Sequence, residues 1–207
     1  MVVLGVTGGI ASGKSTVGRL LQARGALIID ADQVARELLA PGGRLSEQVI
    51  EAFGGGVRRP DGSVDRAAVA RIIFGDPKAR ERLNRITHPP ILAEIEKRIQ
   101  QLRRSPAPPS VVAVILPLLF EAGAEGLVEK TLVVTADEPE QIRRLRQRDG
   151  LTEAEARQRI AAQMAIEEKI RRADWVLDTT RGEAATEVAV DAMWRGLAGS
   201  GPATATF

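Results

Sequence analysis

A glycine-rich run near the start of the chain has the residue types and the spacing of a phosphate-binding loop. It reads Gly8-Gly9-Ile10-Ala11-Ser12-Gly13-Lys14-Ser15-Thr16 and fits the pattern G-x-x-x-x-G-K-[ST] without a mismatch. Glycines let successive backbone N–H groups turn inward around a phosphate chain, and the helix that follows presents the positive end of its dipole to the same anion. The pattern therefore predicts that the chain binds a nucleoside triphosphate.

Two side chains of this loop are suited to phosphoryl chemistry. Lys14 places a positive charge at the β- and γ-phosphates, and the hydroxyl of Ser15 completes the shell of a Mg²⁺ ion that bridges the same oxygens. Ser15 is thus the predicted metal ligand. The residues expected to hold the nucleotide are Gly9, Ile10, Ala11, Ser12, Gly13, Lys14, Ser15 and Thr16.

A pair of carboxylates follows the second apolar run of the chain. Asp30 and Asp32 come directly after residues 26–29, a run typical of a parallel strand covered on both faces. Open α/β sheets place their ligands at the carboxyl ends of such strands. Asp30 also has capping-box spacing to Gln33, so one aspartate can be structural while the other is free for chemistry. Arg36, one helical turn beyond Asp32, is close enough to pair with it or to hold a substrate anion.

The elements that must position these residues alternate between apolar runs and helical patterns. This alternation predicts an α/β fold, a P-loop NTPase-type parallel sheet flanked by helices. A helix is expected to follow the loop as far as Arg24, where Gly25 ends it. The predicted strands are residues 2–6, 26–29, 111–116, 131–135 and 175–177, and a final helix is expected over 183–197, followed by a loose tail over 199–207.

The stretch between the second and third predicted strands is mostly helical. Residues 45–53 and 65–74 have helical spacing, and Asp76 caps a helix that begins at Pro77. We expect that helix to be interrupted at His88-Pro89-Pro90, and residues 54–65 to form a surface excursion without strand pairing. The stretch is too helical and too long for one crossover. We therefore interpret residues 38–104 as a helical substrate-binding insertion.

Composition excludes several classes of protein. The chain of 207 residues is 44% hydrophobic and 27% charged, which is ordinary for a globular protein with one substantial core. It contains no cysteine, so disulfides, thiolate metal sites and cysteine nucleophiles are excluded. The most apolar run, residues 111–120, is about half the length needed to cross a bilayer. Because the start of the chain also lacks a basic-then-apolar leader, we expect a cytoplasmic protein without membrane contact.

The charged residues indicate a small anionic substrate rather than nucleic acid. The formal net charge is only +2, and most of the 29 basic residues are arginines. Arginine binds phosphate bidentately, which suits a substrate with several phosphates, although codon bias alone also enriches arginine. Basic residues are interleaved with acidic ones and only 3% of residues are aromatic, so few groups could stack on bases.

Taken together, these motifs resemble the dephospho-coenzyme A kinase family over nearly the whole chain. The loop is individually specific, and the order and spacing of the remaining motifs add to it. Many P-loop proteins have an aspartate at the end of a buried strand, where it helps to hold Mg²⁺. The predicted strand over 111–116 does not end in an aspartate. The resemblance is carried by the loop within Gly5-Val6-Thr7-Gly8-Gly9-Ile10, Asp30-Ala31-Asp32 with Arg36, Leu83-Asn84 with His88-Pro89, Pro117-Leu118-Leu119-Phe120-Glu121, and Arg144, Arg148, Asp149 and Gln163 ahead of Ala173-Asp174.

The resemblance implies ATP-dependent phosphorylation of the ribose 3′-hydroxyl of dephospho-coenzyme A, the last step of coenzyme A synthesis. It implies a core over residues 1–37, 105–143 and 173–198, the helical substrate-binding insertion over 38–104, and an arginine-bearing helical lid over 144–172. ATP is then the phosphate donor, with Mg²⁺, and dephospho-coenzyme A is the small-molecule partner.

The resemblance also assigns roles to single residues. It implies that Asp32 is the catalytic base and that Lys14, Arg144 and Arg148 stabilise the transferring phosphoryl group. Its acceptor site would comprise Thr7, Asp32, Arg36, His88, Leu118 and Gln163. The chain departs from the family at Asp178-Thr179-Thr180, where an asparagine, a small residue and glycine are more usual. This stretch is expected to border the adenine.

Two other functions are compatible with a phosphate-binding loop. The first is another small-molecule kinase, acting on a nucleoside or a nucleoside monophosphate. The second is a nucleotide-driven switch or motor, but Asn84 is the only asparagine, so a guanine-reading N-K-x-D motif is impossible, and no L-S-G-G-Q segment exists. For the favoured kinase we expect a monomer or a weak oligomer.

Overall fold

A parallel β-sheet carries the phosphate-binding loop at the end of one of its inner strands. The computed structural model describes residues 1–198 and 205–206. The strands are β1 (Val2–Gly8), β2 (Leu27–Asp30), β3 (Val111–Ile115), β4 (Lys130–Thr135), β5 (Trp175–Asp178) and the two-residue β6 (Ala205–Thr206). The strand order is β2-β3-β1-β4-β5-β6, and β1 pairs in parallel with both β3 and β4. The expected α/β parallel sheet is confirmed.

Helices cover much of the remaining described chain. They are α1 (Lys14–Ala23), α2 (Ala31–Leu38), α3 (Arg44–Phe53), α4 (Arg66–Gly75), α5 (Pro77–Arg103), α6 (Glu138–Asp149), α7 (Glu153–Ala161), α8 (Ile166–Arg171) and α9 (Glu183–Ala198). Two single 3₁₀ turns lie at Gly55–Val57 and Glu125–Leu127. No helix in the described part of the chain combines the length and the apolar character that a membrane span requires.

The chain forms two compact units. One consists of Met1–Ile29 together with the chain from Leu102 onward, and the other of Asp30–Gln101. In the first unit every residue of β3 is buried, and Val17, Leu21 and Met193 on α1 and α9 belong to the same apolar core. Strands buried on both faces become continuous apolar runs in the sequence, which explains why β1, β3 and β4 were recognisable.

The second unit has its own apolar core. Val49 on α3 and Val69 on α4 are buried there, with Leu83 of α5 packed against them. Residues 54–65 differ from the expected surface excursion, because Val57 and Val64 are buried in this core and Arg58 pairs with Val64 in an antiparallel bridge. The turn signals in this stretch were correct, but the two valines between them direct it inward.

The expected break at His88-Pro89-Pro90 is wrong, since α5 continues through both prolines. Proline lacks the N–H that a helix uses and crowds the preceding turn, which normally ends or kinks a helix. Here Thr87 before the prolines and Ile95 beyond them are both buried. Burial of the helix on both sides of the two prolines therefore outweighs the local preference.

Two further expectations at the sheet margins need correction. β2 lies at an edge of the sheet with Leu27 exposed, so it is not covered on both faces as its apolar run suggested. Within the tail expected over 199–207, residues 205–206 pair in parallel with β5, and the other residues lie outside the described part of the chain.

Candidate active site

The phosphate-binding loop connects β1 to α1, as its sequence pattern predicts. Gly8 has φ 143°, and a Cβ there would lie 2.0 Å from Val134 O, so no side chain is tolerated. Gly13 has φ 88° at the N-cap of α1, a left-handed conformation in which glycine is favoured. The two glycines that define the pattern are thus required by the backbone.

One buried polar group of the loop is left without a partner. Ser12 is fully buried, and its Oγ forms no hydrogen bond within the described part of the chain. An unsatisfied buried hydroxyl costs about 1–3 kcal/mol. Ala11 is the one non-glycine residue in the described chain with positive φ, at 57°. Both features fit a loop shaped to receive a ligand with phosphate oxygens.

Lys14 holds its charge directly at the loop. Its Nζ donates to Gly8 O at 3.1 Å and to Gly9 O at 2.6 Å. Ser15 follows in the first turn of α1 and is exposed. The ammonium and the N-terminal end of α1 therefore supply positive charge at the same place, which suits an anionic ligand.

Two glutamines bind the backbone of Ile10 within the loop. Gln141 on α6 donates from Nε2 to Ile10 O, and the Oε1 of Gln163 accepts from Ile10 N, each at 2.6 Å. Gln163 is one of the expected substrate contacts, and the structure gives it a partner in the loop. Gln141 was not anticipated, although its position four residues before the buried Leu145 places it on the inward face of α6.

The arginines of α6 occupy different places. Arg144 reaches the loop, donating to Ala11 O at 3.1 Å and to Thr179 Oγ1 at 2.9 Å. Arg148 instead donates to both carboxylate oxygens of Asp149, at 2.8 and 2.9 Å, and its side chain is 62% exposed. This pairing raises the pKa of Arg148 and lowers that of Asp149. Of these two arginines, Arg144 is the one that binds the loop.

The stretch after β5, which was expected to border the adenine, packs against the loop. Thr179 is buried, and its Oγ1 donates to Ser12 O at 2.8 Å. Thr180 Oγ1 donates to Asp178 Oδ1 at 2.6 Å and accepts from Asp137 N at 3.0 Å. Thr179 therefore supports the loop backbone, a role that was not expected of this stretch from the sequence.

The end of β1 is tied to the segment that follows β3. Thr7 is fully buried and donates from Oγ1 to Pro117 O at 3.1 Å, while Leu118 is half-buried. Lys169 on α8 is also fully buried; its Nζ donates to the same Pro117 O at 3.2 Å and lies 2.7 Å from Glu121 Oε1. Lys169 was missed, because its sequence neighbours on a short charged helix suggest a solvated position.

In the second unit, the two aspartates have separate roles. Asp30 caps α2, with its Oδ1 accepting from Asp32 N at 2.8 Å. The expected capping box does not form, since Gln33 donates to Glu37 instead. Asp32 is exposed, and Arg36 donates to its backbone carbonyl at 3.0 Å rather than to its carboxylate. The carboxylate of Asp32 is thus not the group that caps the helix.

The remaining predicted site residue, His88, is half-buried within α5 of the second unit. Among the described residues, His, Cys, Asp and Glu side chains do not gather in groups of three or more that could hold a metal ion. A parallel sheet whose first strand leads through this glycine loop to a lysine at the start of a helix defines a P-loop nucleotide-binding protein.

Comparisons with known proteins identify the family within this class. A family model for dephospho-CoA kinase matches residues 2–184. The chain is 49% identical over 197 residues to a dephospho-CoA kinase of Moorella thermoacetica, covering 95% of this chain and 92% of the relative. It is 47% identical to one of Geobacter sulfurreducens, covering 94% and 98%. The protein belongs to the dephospho-CoA kinase family.

A solved structure agrees with this assignment. The dephospho-CoA kinase from Campylobacter jejuni superimposes with a TM-score of 0.68 at 28% identity, covering 94% of this chain and 96% of that one. The family resemblance drawn from the loop, the Asp30-Ala31-Asp32 run and the later motifs is confirmed.

Proposed function

We propose that this protein transfers the γ-phosphoryl group of ATP to the ribose 3′-hydroxyl of dephospho-coenzyme A, giving coenzyme A and ADP. The observation that carries the proposal is a phosphate loop with a charged lysine and a buried, unpartnered hydroxyl, in a chain of the dephospho-CoA kinase family. Membership of the family indicates the acceptor, dephospho-coenzyme A, and the loop indicates where the donor, ATP, binds.

On the donor side, the loop backbone from Gly9 to Thr16 binds the phosphates, and Lys14 offsets the charge that develops on the transferring group. Arg144 is already at the loop, and Arg148 joins it when the lid over residues 144–172 closes and excludes water. Ser15 would hold Mg²⁺, which would neutralise part of the phosphate charge when bound.

On the acceptor side, Asp32 orients the 3′-hydroxyl and receives its proton as the oxygen bonds to the γ-phosphorus. The bond from that phosphorus to the oxygen it shares with the β-phosphate breaks, and ADP leaves. Arg36 and His88, both in the second compact unit, contact the acceptor, as do Leu118 and Gln163. Thr7, also expected at the acceptor site, is fully buried and binds Pro117 O, so its part is to support the site from within. A loose transition state needs little early deprotonation, so Asp32 acts largely by positioning.

The setting we propose for the reaction is the cytoplasm, because ATP is the donor. We further propose that the chain acts as a monomer or weak oligomer, without nucleic acid. Sedimentation of the purified protein across a range of concentrations, with and without ATP, measures the oligomeric state directly.

The function is tested by supplying the purified protein with ATP, Mg²⁺ and one of three acceptors: dephospho-coenzyme A, AMP or adenosine. We expect phosphorylation of dephospho-coenzyme A alone, with a product whose phosphorus NMR spectrum shows a 3′-phosphate. Faster phosphorylation of AMP or adenosine would favour the other kinase function. Release of inorganic phosphate without a phosphorylated acceptor would contradict both.

A further inference from the structure

The largest fully buried side chain in the described protein belongs to a lysine outside the phosphate-binding loop. Lys169 on α8 has a side-chain exposure of 0%. Its ammonium lies 2.7 Å from Glu121 Oε1 and donates to Pro117 O at 3.2 Å. An apolar side chain would fill the same space without removing a charge from water, which is costly even for a paired ion. The site of this charge therefore calls for an explanation beyond packing.

One of its two partners leads to the residue that precedes the loop. Pro117 O accepts from Lys169 and also from Thr7 Oγ1, at 3.1 Å. Thr7 is fully buried, and the next residue, Gly8, begins the glycine pattern. The backbone carbonyl of Gly8 in turn accepts from Lys14. The ammonium of Lys169 is thus connected to Thr7, near the end of β1, through a single shared acceptor, the carbonyl oxygen of Pro117.

The other partner leads to a residue inside the loop. Glu121 Oε1 accepts from Met164 N at 3.4 Å as well as from Lys169. Residue Gln163, adjacent to Met164, accepts from Ile10 N at 2.6 Å. The carboxylate that Lys169 holds therefore fixes the chain segment from which Gln163 reaches the loop.

We propose that Lys169, acting through Pro117 and Glu121, is a positioning residue for the phosphate-binding loop. It fixes the peptide at the start of the loop by way of Thr7 and the peptide of Ile10 by way of Gln163. The inference deepens the proposed function and rests on it for the identity of the nucleotide. It assigns a role in donor binding to a lysine that does not itself touch the phosphates.

A neighbouring ion pair provides a matched control. Arg172, just after α8, pairs with Glu125, and its guanidinium stacks on Phe120 with 4.5 Å from Cζ to the ring centroid. This pair joins the same two segments as Lys169 and Glu121 do, but each side chain is 36% exposed. Within the described part of the chain, neither side chain forms a hydrogen bond with Thr7, Pro117 or Met164.

The test replaces both partners of each pair, because removing one partner alone leaves a buried charge uncompensated and destabilises the fold. The variant Lys169→Met with Glu121→Met is compared with Arg172→Met with Glu125→Met and with the unaltered protein. Calorimetry measures the Kd of a non-hydrolysable ATP analogue with Mg²⁺, and circular dichroism measures the melting temperature. No acceptor is present, so binding is separated from transfer.

We expect Lys169→Met with Glu121→Met to raise the Kd of the analogue about tenfold, a coupling typical of residues in one network. The control pair should leave the Kd within about twofold of the unaltered protein, as distant surface changes do. Adding Gln163→Met to the first variant should weaken binding little further, since both changes interrupt the same route. A double variant that binds the analogue as tightly as the unaltered protein would overturn the proposal.

Should that double variant fail to fold, Lys169→Gln with Glu121→Gln provides the same test with a smaller change. It keeps polar side chains of similar length and removes both charges together, so we expect a raised Kd, and an unchanged Kd counts against the proposal. Failure of the proposed function is distinguishable, because it appears in the unaltered protein as an absence of analogue binding or of transfer to dephospho-coenzyme A.

Discussion

Residues around the loop divide into those proposed to face a nucleotide and those that hold the loop backbone in place. Lys14 and Ser15 are proposed for the first group, and their residue types were enough to select them. Gln141 and Thr179 belong to the second, since their side chains bind the backbone of Ile10 and Ser12. Binding a phosphate requires both a positive charge beside it and a loop backbone held in shape by hydrogen bonds. Single substitutions can distinguish these two contributions.

Substitution of Lys14 tests the donor site at the scale of one charge. We expect Lys14→Ala to lower kcat by about a hundredfold or more, because the charge is directed at oxygens that become more negative in the transition state. The melting temperature should change little, since Lys14 is only half-buried. Steady-state kinetics at saturating ATP and Mg²⁺, with thermal melting, measure both. Near-native turnover would place the donor site elsewhere.

Asp30, the last residue of β2, and Asp32, in the first turn of α2, allow a paired test in which each variant is the control for the other. Asp32→Asn should keep nucleotide affinity and lose about a hundredfold in the rate of transfer, if it serves as a general base. Asp30→Asn should show a smaller kinetic defect, because asparagine also caps helices. Single-turnover transfer, ATP binding and thermal melting distinguish the two roles. If Asp30→Asn abolished transfer while Asp32→Asn left it intact, Asp30 would be the base and Asp32 would not.

At the scale of elements, α6 acts as a support for the loop through side chains that are themselves fixed. Glu140 accepts from Arg143 Nε at 2.6 Å and from Arg144 Nε at 2.8 Å. The hydrogen bond from Arg143, followed by that from Arg144, lowers the pKa of Glu140 to about 2. Glu140 thereby orients the guanidinium of Arg144, which contacts Ala11 and Thr179.

The lowered pKa of Glu140 predicts a pH dependence of stability. The ionised carboxylate is stabilised in the folded state, so its contribution is fully present above the ordinary value of 4.5 and is lost as pH falls toward about 2. The difference in unfolding free energy between the unaltered protein and Glu140→Gln should therefore be constant from pH 7 to about pH 5 and shrink below it. Urea titrations at several pH values measure this difference. A gap that widens in acid would show that Glu140 does not act in this way.

At the scale of the whole molecule, the phosphate-binding loop belongs entirely to the first compact unit, while Asp32, Arg36 and His88 belong to the second. Each unit has its own buried apolar core. The nucleotide is therefore expected to stabilise the first unit through contacts that the loop provides by itself. Binding of a ligand to the folded state alone raises stability by mass action.

Thermal melting tests this expectation. ATP with Mg²⁺ at a hundred times its Kd should add about 2.7 kcal/mol of stability, which is about 5–10 °C for a chain of this size. ATP without Mg²⁺ should give a smaller shift, and Lys14→Ala should lose most of it, as its charge no longer meets the phosphates. An equal shift in Lys14→Ala and the unaltered protein would mean that the loop is not where ATP binds.

The parts of the fold that the sequence predicted are those in which local geometry decides the structure. The inner strands β1, β3 and β4 are continuous apolar runs because both of their faces are buried. The cap at Asp76, expected for the helix that begins at Pro77, follows from a short-range hydrogen bond in which Asp76 Oδ1 accepts from Lys78 N at 2.8 Å. The break expected at Pro89 and Pro90 was wrong, since burial along α5 overrode a local preference that was read correctly.

The chain's own sequence determined the phosphate-binding loop, because the positive φ angles and tight packing of the loop backbone require glycine at Gly8 and Gly13. Lys14 and Ser15 then have fixed places on the first turn of a helix. Only the tertiary structure decided that Gln141, Thr179 and Lys169 support this loop. Their partners Ile10, Pro117 and Ser12 are more than 50 residues away along the chain, and these hydrogen bonds exist only once β1, the segment after β3 and the helices α6 and α8 have packed together.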